Sequence, residues 1–125
     1  MILLTVDEII FQHTKLIERF GGGHGLRDMG LLESAVASIS AGFEDTETYP
    51  TVEEKAARLA YSLSQNHAFV DGNKRIGMLA MLTTLALNDI VIRYTQPELI
   101  ELGLSVADGR YGYEKILEWI NLHKL

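Results

Sequence analysis

No cysteine occurs in the 125 residues. Disulfide staples, thiolate zinc sites and cysteine nucleophiles are therefore excluded. Proline is scarce, present only at Pro50 and Pro97, and neither lies in a linker-like stretch. No repeat or low-complexity segment divides the chain, so residues 1–125 are expected to form one domain around one core. Long hydrophobic runs are also missing. The longest, Ile76 to Leu87, is too short to span a bilayer and contains Thr83 and Thr84, which suits a buried core helix. The start, MILLTVDEII, has no basic residues before its apolar stretch and soon meets Asp7 and Glu8, unlike a signal peptide. Basic clusters are absent beyond Lys74-Arg75, and the net charge is −6. Nucleic-acid binders need a cationic face, so DNA and RNA are disfavoured as partners, as are anionic membranes. The expected location is the cytoplasm.

Apolar residues make up 47% of the chain and charged residues 22%, the balance of a globular protein. Thr5-Val6-Asp7-Glu8 is a capping-box pattern, followed by Ile9, Ile10, His13, Leu16, Ile17 and Phe20 at helical spacing. Gly21-Gly22-Gly23 then stops the helix. A second helix is expected from about Asp28 to Ala41. Gly42 to Pro50 is acidic and without periodicity, which predicts a surface loop. Thr51-Val52-Glu53-Glu54 opens a third helix that ends near Asn66-His67, and a fourth runs from about Asn73 to Leu87, apolar almost all round. Ile90 to Tyr94 is a short β-prone piece. Thr95-Gln96-Pro97-Glu98 opens another helix, and a last one covers about Tyr111 to His123. The expectation is an all-α, compact helical bundle of five or six helices around a central buried helix.

The chemistry concentrates in His67-Ala68-Phe69-Val70-Asp71-Gly72-Asn73-Lys74-Arg75. A helix begins where this loop ends, so the backbone N–H groups around Gly72, Asn73 and Lys74 should be unpaired and point outward, forming an anion site. Lys74 and Arg75 stand at the positive end of that helix, where each cation costs roughly 0.3–1 kcal/mol when exposed. A bound phosphate would reverse that sign. Asp71 is a hard oxygen ligand suited to Mg²⁺ shared with substrate phosphates. His67 can accept a proton near neutral pH. Base, metal ligand and oxyanion donors together describe phosphoryl or nucleotidyl transfer.

HAFVDGNKR resembles the Fic/Doc motif, His-x-Phe-x-Asp/Glu-Gly/Ala-Asn-Gly/Lys-Arg, and Gly25 to Glu33 (GLRDMGLLE) resembles a segment of the Doc (death-on-curing) branch. The resemblance implies His67 as general base toward a substrate hydroxyl, Phe69 as the loop's anchor and Asp71 as the Mg²⁺ ligand. It implies Gly72, Asn73 and Lys74 as the anion hole and Arg75 as partner of the nucleotide phosphates. ATP would be the co-substrate. Relatives that transfer AMP usually have glycine in place of Lys74, and the Doc branch has lysine and transfers the terminal phosphate. Gly72, by contrast, matches the AMP-transferring group. No glutamate here is followed by glycine or asparagine, so the inhibitory helix pattern of many relatives is missing. An antitoxin acting in trans would take its place. Elongation factor Tu is the implied protein target, and inhibited translation the implied outcome. A flap in the family lies near Glu44 to Tyr49, which makes Tyr49 a candidate for target docking.

Plainer readings compete. His67 alone could be a satisfied histidine, or could pair with Asp71 as metal ligands at i, i+4, although Gly72 weakens a continuous helix there. His13 and His123 are expected to be structural or exposed. Gly21 to Gly25 (GGGHG) follows a helix rather than a strand, so helix termination is favoured over a phosphate loop. Arg27 and Asp28 read as a cap and a surface pair. Phosphate transfer by a Doc-type toxin leads, AMP transfer to a protein hydroxyl follows, and a catalytically silent binding domain is the third reading.

Overall fold

Three helices start on the same device. The side chains of Thr5, Thr51 and Thr95 accept from the backbones of Glu8, Glu54 and Glu98, and each glutamate returns to its threonine's N–H. Such caps stabilise a helix start by about 1 kcal/mol each. The computed structural model describes residues 1–125. Its helices are α1 (Val6–Phe20), α2 (Met29–Ser38), α3 (Val52–Asn66), α4 (Asn73–Leu87), α5 (Gln96–Ala107) and α6 (Tyr113–His123). This is the expected all-α bundle. No helix is long and apolar enough to cross a membrane.

The centre is a pair of helices, α4 as expected and α3 beside it. α4 touches α1, α3 and α5, and α3 touches α2, α4, α5 and α6. Small residues allow the close approach. A Cβ on Gly77 of α4 would lie 2.5 Å from Ser64 Oγ and 2.9 Å from the Ala60 carbonyl oxygen, both on α3. Two apolar clusters flank the pair. One joins Ile9, Leu32, Leu63, Phe69 and Ile76, and the other joins Met81, Leu85, Leu102, Ile116 and Ile120.

Several local expectations shift. Phe20 keeps its helical position but is 61% exposed. α2 ends at Ser38, with Ile39 and Ser40 continuing as a turn. Gly42 to Pro50 contains an antiparallel hairpin, β1 (Gly42–Phe43) with β2 (Thr46–Glu47). Two-residue strands exposed on both faces show no alternation, so the sequence could not announce them. The buried Lys55 holds the hairpin, its Nζ donating to the Ile39 carbonyl (3.0 Å) and Glu47 Oε1 (2.8 Å). Ile90 to Tyr94 contributes only a single bridge, Ile92 to Lys124. His123 is structural, linking the Trp119 carbonyl (2.7 Å) with Glu98 Oε2 (2.8 Å).

The α3–α4 contact is the most sensitive point of the fold. Gly77→Ala should destabilise the protein by about 1–3 kcal/mol, the usual cost of overpacking. Urea unfolding would show a lower midpoint with an unchanged slope.

Candidate active site

α3 ends at His67, whose backbone turns left-handed (φ 51°, ψ 47°). A residue with a Cβ adopts that conformation at a cost of roughly 1–2 kcal/mol. Backbone return bonds usually secure such an end, but no N–H of His67 or Ala68 closes the last turn of α3. Partners come from the segment before α2. Arg27 Nε (2.8 Å) and Nη2 (2.5 Å) donate to the His67 carbonyl. The Arg27 and Asp28 amides donate to the Ala68 carbonyl (2.7 and 3.0 Å), and the Val70 amide to the Gly25 carbonyl (3.1 Å). The His67 ring itself is exposed and has no hydrogen-bond partner. Asp28 also caps α2, its Oδ1 accepting from the Leu31 amide at 3.0 Å.

Beyond His67 the loop is clamped from within. Phe69 is buried and stacks on the His13 ring, centroids 3.8 Å apart and planes 11° apart. His13 Nε2 lies 2.7 Å from the Asp71 carbonyl oxygen. That oxygen can only accept, so Nε2 carries the proton. The Asn73 side chain accepts from the Phe69 amide and donates to the Phe69 carbonyl, both at 3.0 Å. Asn73 therefore contributes its backbone amide to the loop's outer face, and its carboxamide is spent on the turn.

Asp71 is held by backbone donors. Its Oδ2 accepts from Gly23 (3.1 Å) and its Oδ1 from Gly72 (2.8 Å). These two bonds, Gly23's foremost, keep the carboxyl below the ordinary aspartate range, and Arg75 adds a smaller contribution. Gly22 allows the approach: its φ is +116°, and a Cβ there would lie 2.7 Å from Asp71 Oδ2. The glycine run thus does more than end α1. Gly21 closes the helix through its bond to the Ile17 carbonyl (2.8 Å), and the next two residues reach the motif.

The anion site lies one residue further along than the sequence suggested. The Gly72 amide is taken by Asp71, a correction to its expected outward N–H. No side chain caps α4, and the amides of Asn73, Lys74 and Arg75 have no partner within the chain. Gly72 itself is left-handed at φ +77°, and a Cβ there would crowd Ile17 Cδ1 at 3.2 Å. Neither Lys74 nor Arg75 forms a salt bridge. Lys74 lays its stem over Gly103 of α5, and the Arg75 guanidinium stands 5.5 Å from the centre of the exposed Phe20 ring. Both border a groove of about 790 Å³ between α1, α4 and α5, walled by Phe11, Leu82, Leu99 and Ile100.

Three free amides and two cations thus stand together at the start of α4. The Fic/DOC family model matches residues 3–85. The chain belongs to the Fic/DOC family. Among curated relatives, "Toxin Doc" of Mycolicibacterium smegmatis is 46% identical over 71 residues, covering 57% of this chain and 55% of that protein. "Protein kinase doc" of Escherichia phage P1 is 27% identical over 115 residues, covering 92% of this chain and 90% of that protein. The chain thus matches about half the length of the first and nearly all of the second.

A Mg²⁺ ion fits what this Fic/DOC chain offers. Asp71 is exposed and ionised, and each of its oxygens keeps a lone pair beyond its amide bond. Mg²⁺ is typically held by one or two carboxylates together with substrate phosphates and water. No group of three His, Cys, Asp or Glu side chains could hold a metal by itself. Tyr49 is placed differently from the motif residues. Its ring packs edge-on against Tyr113 of α6 (5.0 Å) and beneath Arg58 of α3 (5.7 Å), while the hairpin's Phe43 is 79% exposed.

His13, Gly22, Gly23 and Arg27 all reach the loop, and of these only Arg27 lies in a segment that the sequence resemblance singled out. His13→Phe keeps a ring for stacking on Phe69 but loses the donor to Asp71. It should cost about 1–3 kcal/mol and speed amide exchange in the 69–73 loop, read by thermal unfolding and hydrogen exchange. Because the folded-state pKa of Asp71 is lowered, its contribution to stability is complete above the ordinary aspartate value. It is lost as pH falls through the lowered value. A ¹³C titration of the Asp71 carboxyl should accordingly have its midpoint below the ordinary one.

Proposed function

We propose that the protein is a Doc-type toxin that transfers the γ-phosphate of ATP to a hydroxyl of a cellular protein. The observation that carries this reading is the uncapped start of α4. Three free amides, Lys74 and Arg75 converge there, directly after an ionised Asp71 and a loop that exposes His67. The relative named as a protein kinase, aligned over nearly the whole chain, supports phosphate as the transferred group.

In this mechanism His67 takes the proton of the target hydroxyl. The freed oxygen bonds to the γ-phosphorus while the bond to the β–γ bridging oxygen breaks, and ADP departs. The amides of Asn73, Lys74 and Arg75 and the two cations hold the phosphate oxygens in a fixed arrangement of donors. Asp71 would hold Mg²⁺, which when bound neutralises charge on the phosphates. Lys74 bears on orientation. A lysine takes up room that glycine would leave for β- and γ-phosphates and adds a cation, which favours the γ-phosphate facing His67. Gly72 is no counterweight, because its positive φ and the nearby Ile17 account for glycine without reference to the donor. Elongation factor Tu is the proposed target, blocked translation in the cytoplasm the outcome, and an antitoxin in trans the restraint.

ATP labelled separately at the α- and γ-phosphates, incubated with the protein and a cell lysate, tests the transfer. Label should reach the target from the γ-position only. Label from the α-position alone would identify an AMP transferase, and label from neither would favour a silent binding domain. His67→Ala should reduce transfer by about 10²–10⁴ with the fold intact. Excess chelator, or Asp71→Ala, should stop transfer; unchanged activity in chelator would remove Asp71 and the metal from the mechanism.

A further inference from the structure

We propose that Arg27 is a positioning residue that sets the His67 backbone, and through it the imidazole, for catalysis; this rests on the reading of His67 as the base. The His67 ring has no hydrogen bond of its own, so its placement starts from the backbone, which sets the direction of the Cα–Cβ bond. That backbone is left-handed, and the return bond that usually secures such a helix end is missing. The Arg27 guanidinium supplies the restraint instead. Two of its N–H groups converge on the single carbonyl of His67, at 2.8 and 2.5 Å.

Charge and geometry both favour arginine here. The carbonyls at the end of α3 carry partial negative charge, which a cation complements. The planar fork reaches one oxygen with two donors, which a lysine ammonium on its flexible stem cannot reproduce. Arg27 has no competing duty. It forms no salt bridge, its side chain is exposed, and the neighbouring Asp28 carboxylate is engaged in capping α2. Docking of the segment onto the loop does not need the guanidinium either. It relies on the Arg27 and Asp28 amides at the Ala68 carbonyl and on the Val70 amide at the Gly25 carbonyl, all backbone groups. Arg27→Gln should therefore fold and keep the loop docked while releasing His67.

The test pairs kinetics with NMR on Arg27→Gln, Arg27→Lys and His67→Ala. In Arg27→Gln, kcat should fall about ten- to hundredfold, the effect of a misplaced catalytic group. KM for ATP and for the target protein should stay at the parent value, and the thermal midpoint should fall by a few degrees with a single cooperative transition retained. The ¹³Cα and ¹³Cβ shifts of His67 should leave left-handed values. Arg27→Lys should recover part of both readouts. His67 shifts unmoved in Arg27→Gln would overturn the proposal whatever the activity. An inactive His67→Ala protein beside a fully active Arg27→Gln protein would also overturn it, leaving the base assignment intact. A His67→Ala protein that transfers like the parent would instead overturn the base assignment, and with it the catalytic role of Arg27.

Discussion

A turn between two packed helices leaves backbone groups beyond the helices' own hydrogen bonds, and those at its buried residues, Ala68 and Phe69, must find partners within the protein. The six residues joining α3 to α4 meet this constraint by recruiting the segment that follows α1. Arg27 and Asp28 donate to His67 and Ala68, Gly25 accepts from Val70, and Gly23 donates to the Asp71 side chain. α1 itself sends His13 beneath the loop, donating to Asp71 and stacking on Phe69. Gly23 and the GLRD stretch are thus parts of the same site as HAFVDGNKR, joined to it by backbone hydrogen bonds and by the Asp71 and Arg27 side chains.

What the loop leaves unpaired is as informative as what it pairs. α4 starts without a side-chain cap, whereas α1, α3 and α5 all have capping boxes. Two cations stand in its first turn, where the helix dipole disfavours them. A fold selected for stability alone would place Asp or Ser there, as this chain does at Asp28 and at its three threonine caps. α6 also starts on an uncapped glycine, Gly112, but it has Glu114 in its first turn, so α4 is the helix that lacks both a cap and an acid there. The overall charge of −6 makes the local positive field at Lys74 and Arg75 stand out further.

The hairpin follows a different logic. It has no apolar face to bury, so β1 and β2 depend on the Lys55 ammonium, which is itself nearly inaccessible and tied to Ile39 and Glu47. Only the ammonium is buried, since Glu47 is exposed, so loss of Glu47 would leave an inaccessible cation with the Ile39 carbonyl as its partner. Tyr49 lies outside this arrangement. Its ring joins α3 and α6 through Arg58 and Tyr113, leaving the hairpin's exposed Phe43 as the aromatic on the outer surface.

Helix positions were legible in the sequence because their causes are local. Capping boxes at Thr5, Thr51 and Thr95, the glycine run after Phe20 and the 3.6-residue spacing of apolar side chains each act within a few residues. α4 was bounded correctly at both ends, and the motif His67 to Arg75 could be read as a base, a carboxylate and an anion site from residue types alone. Tertiary structure decided which polar groups are left to act. The Gly72 amide read as an outward donor in the sequence, yet Asp71 takes it, and the Asn73 carboxamide is likewise spent within the loop. His13 read as structural or exposed and is structural, supporting the loop from below, while Arg27 read as part of a surface pair and instead reaches the end of the helix that bears His67. Hydrogen bonds between residues 40 or more positions apart leave no spacing or periodicity in the chain, so they emerge only once the helices have packed.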